Sequence, residues 1–169
     1  MTEASINKQV KLSEHFTLGE VTKSRHTEVY NIPSHVAIEN LKRVCEWLEE
    51  LRRRYNLRYV LRSVSPPKLG GEKDTEEPII INSGYRSPQL NRKVGGSTTS
   101  NHLTGCAVDI RVAGIEQAMR YAVILMDYAD ETKQDYDEIL IEKNRYGAIW
   151  LHFAVRPTDN RRKTMFLQK

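Results

Sequence analysis

Two short segments, 106–112 and 149–155, alternate apolar and polar residues so regularly that each is expected to lie as a strand with one buried face. In the first, Cys106, Val108, Ile110 and Val112 share one side, and Ala107, Asp109 and Arg111 share the other. In the second, Ile149, Leu151, Phe153 and Val155 oppose Trp150, His152 and Ala154. A carboxylate and an imidazole thus stand opposite the core in their own strands, where one sheet surface can bring them together. His102 lies at the mouth of the first strand, ahead of Asp109. Two imidazoles and one carboxylate are an established donor set for a catalytic zinc, which keeps a fourth position for water. Cys106 has the chemistry of a ligand too, but the alternation turns it toward the apolar side.

The remaining pattern supplies the elements that carry this surface. Leu12 to Val21 reads as a short structured opening, with Thr17 as helix cap. Ser34 caps a longer helix in which Ala37, Leu41, Val44, Leu48, Leu51 and Tyr55 recur at alternating steps of four and three, with Glu39, Arg43, Glu46, Glu50 and Arg53 on the other side. The segment 65–77 has two prolines, two glycines and mixed charge, and is expected to be a mobile loop. Pro78 to Asn82, built on three consecutive isoleucines, predicts a buried strand. A turn at Ser83 and Gly84 follows, then a short helix from Pro88 to about Val94, ended by Gly95 and Gly96. Ile115 to Tyr128 predicts an amphipathic helix, and a strand over 138–141 precedes a turn containing Asn144 and Gly147. Together these predict an α+β fold, an antiparallel sheet with flanking helices.

A chain of 169 residues fits a single domain, with its core over about 12–155 and a basic tail over 156–169. No apolar run approaches the ~20 residues that span a bilayer. The first residues lack the apolar core and cleavage site of a secretory signal, which predicts cytoplasmic synthesis and, for a wall-directed protein, release by some other route. Two cysteines, Cys45 and Cys106, are expected to be free thiols. A net charge of +4 favours a polyanionic partner without choosing which one, and nucleic-acid binding would rest on that charge alone. The expected partner is therefore not nucleic acid, and the expected state is a monomer.

Several separated motifs occur in order. Ser100, His102, Gly105, Ala107 and Asp109 match S-x-H-x-x-G-x-A-x-D, Trp150 and His152 form W-x-H, and Ser83, Gly84, Tyr85, Arg86 and Ser87 form S-G-Y-R-S. In these motifs the chain resembles the zinc D-alanyl-D-alanine carboxypeptidases, cell-wall metallopeptidases of the DD-peptidase/Hedgehog-like fold. The run from Leu12 and the Tyr136 to Leu140 segment are similar to small phage and prophage endolysin-like members.

The resemblance implies zinc-dependent hydrolysis of D-amino-acid-containing peptide bonds in peptidoglycan, with water activated on the metal as nucleophile. It implies His102, Asp109 and His152 as ligands to Zn2+, and Arg86 as the group that steadies the oxyanion or a substrate carbonyl. Ser100, Tyr85 and Trp150 are the expected substrate-binding residues. The family's general base usually stands three residues before the last histidine, a position held here by Ile149. Glu142 is the substitute expected from the sequence, with Asp137 and Glu138 behind it. A zinc-containing wall-binding module without hydrolysis is the alternative that this departure leaves open.

Overall fold

The computed structural model describes residues 7–61 and 76–169. Helix α1, Leu18–Thr22, begins in a capping box: the Thr17 hydroxyl accepts from the Glu20 backbone N–H, and the Glu20 carboxylate accepts from the Thr17 backbone N–H. Helix α2, His35–Tyr55, starts where the Ser34 hydroxyl accepts from the Ala37 N–H. Its stripe of Ala37, Leu41, Val44, Leu48, Leu51 and Tyr55 is buried as the periodicity predicts, joined by Cys45 and Trp47. The helix runs on into a single π turn, Asn56–Val60, where the Asn56 side chain binds the backbone of Arg52 and Glu77. Helix α3, Pro88–Lys93, has Ser87 as cap and proline in its first turn, and Gly95 follows it with φ +72°. A 3₁₀ turn, Asn101–Thr104, ends at Gly105. Gly105 has φ +74°, and a Cβ there would overlap the Ala37 carbonyl, so both conformation and space require glycine. Helix α4 spans Ile115–Thr132.

Five strands form one open sheet: β1 Ile81–Ser83, β2 Ala107–Arg111, β3 Glu138–Lys143, β4 Ile149–Ala154 and β5 Lys163–Gln168, in the order β1-β2-β4-β3-β5. All neighbours are antiparallel except β3 and β5, which run parallel. The register places Asp109 directly across from His152, and His152 across from Leu140. One face of the sheet carries Val108, Ile110, Ile139, Ile141, Leu151 and Phe153 into the core with α2 and α4. The Trp47 ring lies 5.5 Å from Phe153 and 4.9 Å, edge-on, from Tyr128. The opposite face is left for polar side chains. No helix among the described residues is long and apolar enough to cross a membrane.

The fold is α+β, as the sequence predicts, with three differences in the strands. The isoleucine strand is shorter and shifted: only Ile81–Ser83 pairs, and Ile80 is 37% exposed. It is an edge strand covered on one side, so Ile79 and Ile81 point inward while Ile80 points out. β3 continues to Lys143, which puts Glu142 inside the strand instead of at its end. The segment 156–169, expected as a tail, contributes β5 as the second edge of the sheet. The loop expected over 65–77 lies, for 65–75, outside the described residues.

Phe153 is fully buried between the sheet and α2. Phe153→Ala is expected to cost about 3–5 kcal/mol of stability, measured by urea denaturation of the metal-free protein. A loss under 1 kcal/mol would mean that this face is not the core.

Candidate metal centre

Asp109 and His152 meet because their strands pair directly, and side chains opposite one another on one face stand about 4.5–5.5 Å apart at Cβ. Asp109 Oδ1 lies 2.9 Å from His152 Nδ1. His102 arrives from the 3₁₀ turn before β2, and its Nε2 lies 3.3 Å from Asp109 Oδ2. Ligand atoms of His102, Asp109 and His152 all fall within 4.8 Å of one another, and among the described residues no other such group of three is found.

The tautomers follow from the outer hydrogen bonds. His102 is 1% exposed, and its Nδ1–H donates to the Gly84 carbonyl at 2.6 Å. That leaves Nε2 a bare lone pair, buried and without a hydrogen-bond partner despite the nearby carboxylate. A lone pair aimed at an anionic oxygen is unfavourable unless a cation sits between them. Zinc, which binds neutral imidazole and carboxylate together, fits this donor set.

Burial and the neighbouring groups set the protonation of the three side chains. Burial holds the His102 pKa below that of a free imidazole, so the ring is neutral. Burial also opposes charge on His152, but hydrogen bonds to Asp109 and Glu138 outweigh it and raise its pKa to about 9. For Asp109 burial acts upward, and the hydrogen bond and charge of the His152 imidazolium act against it, keeping the carboxyl below the usual carboxylate range.

The trio lies in a cleft of about 1240 Å³ on the polar face of the sheet, also lined by Arg86, Ser100, Glu138, Glu142, Trp150 and Lys169. Its size exceeds the ~300–1,000 Å³ typical of a pocket for one small molecule and suits an extended chain. Arg86 points inward, with Nη2 3.7 Å from Asp109 Oδ2 and Nε buried without a hydrogen-bond partner. Burial lowers its pKa while Asp109 and Glu142 act the other way, so both carboxylates are felt at the guanidinium. Ser100 caps the 3₁₀ turn by accepting from the His102 backbone N–H at 3.3 Å, and so positions the backbone of His102. Trp150 lines the cleft beside Lys169, whose Nζ is 5.7 Å from the ring centroid.

Tyr85 is a correction: the expected substrate contact is buried in the core. The cause is the preceding glycine. Gly84 passes so close to Val21 that a Cβ would overlap its carbonyl, and the Tyr85 N–H donates to that same oxygen at 2.7 Å. This close contact turns the Tyr85 ring inward and delivers Arg86 to the cleft.

The three acids considered as base separate cleanly. Asp137 is fully buried and is held by Arg161 through two bonds of 2.9 and 2.7 Å, by Asn101 at 2.7 Å and by Arg156 at 3.2 Å, so it is a structural anchor. Glu142 shares the site face, directly across from Trp150, and its Oε2 is 2.6 Å from Lys169 Nζ. Glu138, also on this face, places Oε2 3.1 Å from His152 Nε2. Strand parity puts Glu138 and Glu142 on one side, but it could not reveal which of them meets the imidazole. The roles of Asn101, Arg161 and Lys169 had no signal beyond general polarity.

The peptidase M15 family model matches residues 71–134, a segment that includes His102 and Asp109. The match supports the zinc D-alanyl-D-alanine carboxypeptidase-type family and indicates a metallopeptidase. No curated protein sequence matches the chain.

Cys106 is buried, and its Sγ makes a weak 4.0 Å approach to the Thr104 carbonyl. Burial pushes the Cys45 thiol up to about 12 and raises that of Cys106. Thiolate is the reactive form, so at pH 8 a thiol reagent is expected to leave both unlabelled in the native protein and to label both in denaturant. Rapid native labelling of Cys106 would contradict its placement away from the cleft surface.

Proposed function

We propose, with the peptidase M15 match as premise, that this chain is a zinc-dependent peptidase acting on the peptide stems of bacterial peptidoglycan. The single observation that carries the reading is the His102, Asp109 and His152 cluster with its orphaned His102 Nε2. His102 through Nε2, Asp109 through a carboxylate oxygen and His152 through Nδ1 would hold the ion. When bound, zinc lowers the pKa of a coordinated water to about 7 and polarises the carbonyl to be attacked.

The protein's own groups supply the rest. Arg86 presents an unpaired N–H beside the cluster and is suited to hold an oxygen on which negative charge develops. Glu142 serves as the base: it faces the cleft, and its one ion pair runs to a lysine whose side chain is more than half exposed and free to swing away. Lys23, Arg25 and Arg111 line the cleft and form no ion pair among the described residues, which favours a substrate carrying carboxylates. Trp150 supplies an apolar floor for the chain being held.

A second reading has its own support. Ile149 occupies the place of the usual acid, and Lys169 already occupies the Glu142 carboxylate. Both favour a module that binds zinc and wall peptide without cutting it.

Incubation with purified peptidoglycan, with and without a chelator, decides between them. The expected result is metal-dependent release of new peptide termini, abolished in Asp109→Ala. Arg86→Ala is expected to lower kcat by about 10²–10³, and Glu142→Gln by about 10²–10⁴. Sedimentation with peptidoglycan and no release of termini would establish the binding module instead.

A further inference from the structure

The contact between Glu138 and His152 lies outside the donor set, and Glu138 is not the acid assigned above as the base. Both His152 nitrogens face carboxylates, Nδ1 toward Asp109 at 2.9 Å and Nε2 toward Glu138 at 3.1 Å. Only one of these acids sits with His102 in the cluster that can share an ion, and that is Asp109. Glu138 therefore receives the hydrogen left on the ring once Nδ1 is needed as a donor to the ion.

The Glu138 carboxylate is held at both ends. Oε2 also accepts from Asn101 Nδ2 at 3.1 Å, and Oε1 accepts from Arg161 Nη2 at 3.0 Å with Lys163 Nζ 3.8 Å away. Arg161 and Asn101 are themselves fixed by the buried Asp137. A carboxylate with both oxygens engaged has little freedom to turn toward a substrate and is well placed to hold a ring.

We propose that Glu138 is a positioning residue for His152, accepting its Nε2–H so that Nδ1 is presented as a lone pair beside Asp109 and His102. The segment 156–169 thereby supports the metal centre through Arg161. The inference rests on the reading of the cluster as a zinc site.

Zinc affinity is the direct readout, measured on the full chain by competition with a chromophoric chelator, with thermal unfolding of each metal-free protein alongside. Glu138→Ala is expected to bind zinc about 10–100-fold more weakly than the unaltered protein. Glu138→Gln keeps an acceptor for Nε2–H and is expected to recover most of that loss. The absorption spectrum of the Co2+-loaded protein should change in Glu138→Ala and stay near normal in Glu138→Gln. Unchanged zinc affinity in Glu138→Ala overturns the proposal, as does a Glu138→Gln protein that binds zinc normally yet has lost all hydrolysis, which would make Glu138 the base. Should Glu138→Ala fail to fold, Glu138→Met, which keeps the length of the side chain but offers Nε2–H no oxygen acceptor, is expected to show the same loss of zinc affinity, and an unchanged affinity in it overturns the proposal. If the unaltered protein itself binds no zinc, it is the metal-centre reading that fails, a result distinct from either outcome in the variants.

Discussion

The pairing of Asp109 with His152 across β2 and β4 is the constraint on which the site depends. Strand side chains alternate with period two, so a slip of one residue would exchange His152 for Leu151 or Phe153 and put an aromatic or aliphatic group beside the carboxylate. What prevents the slip is the other face. Leu151, Phe153, Val108 and Ile110 are fully buried against α2 and α4, and burying each such side chain is worth roughly 1.5–3 kcal/mol. The hydrophobic core and the polar cluster are therefore two consequences of one register. His102, the ligand candidate from outside the strands, needs separate fixing, which the Gly84 carbonyl provides at one end of its ring.

This explains which parts were legible in the sequence. The caps at Thr17, Ser34 and Ser87 are local, and so is the α2 stripe, so each could be read from a few neighbouring residues. Strand parity at Asp109 and His152 was legible for the same reason, because alternation is a property of one segment. The position of Tyr85 was not, since it is set by the close approach of Gly84 to Val21, a contact between segments far apart in the chain. β5 was missed because an edge strand owes little to a buried face. Its residues are mostly exposed, and it is held by backbone pairing to β3 and by ion pairs of the preceding arginines. Such pairing leaves only a weak apolar periodicity to read.

The start of β3 gathers an unusual amount of charge for a buried place. Asp137 is removed from water entirely, which costs several kcal/mol unless its lone pairs are filled. They are: Arg161, Arg156 and Asn101, together with the Arg161 backbone N–H, supply donors to both oxygens. The same Asn101 and Arg161 go on to Glu138, so the anchor that ties the last segment to the sheet also sets the carboxylate against His152. A network filled this completely favours one geometry over its neighbours, because moving any member strands a buried charge.

The two glutamates on the site face differ in this respect, and the difference argues for a division of roles. Glu138 engages donors at both oxygens, supplied by groups that are themselves held, so its best service is to hold something still. Glu142, four residues along the same strand, has a single ion-pair partner among the described residues, on a long side chain that is more than half exposed. A group that must accept a proton and return it needs a partner that can leave, and of the two acids only Glu142 has one. Ile149 precedes Trp150 on β4, and the strand paired with it places the Glu142 carboxylate directly across from Trp150, on the face that carries the cluster.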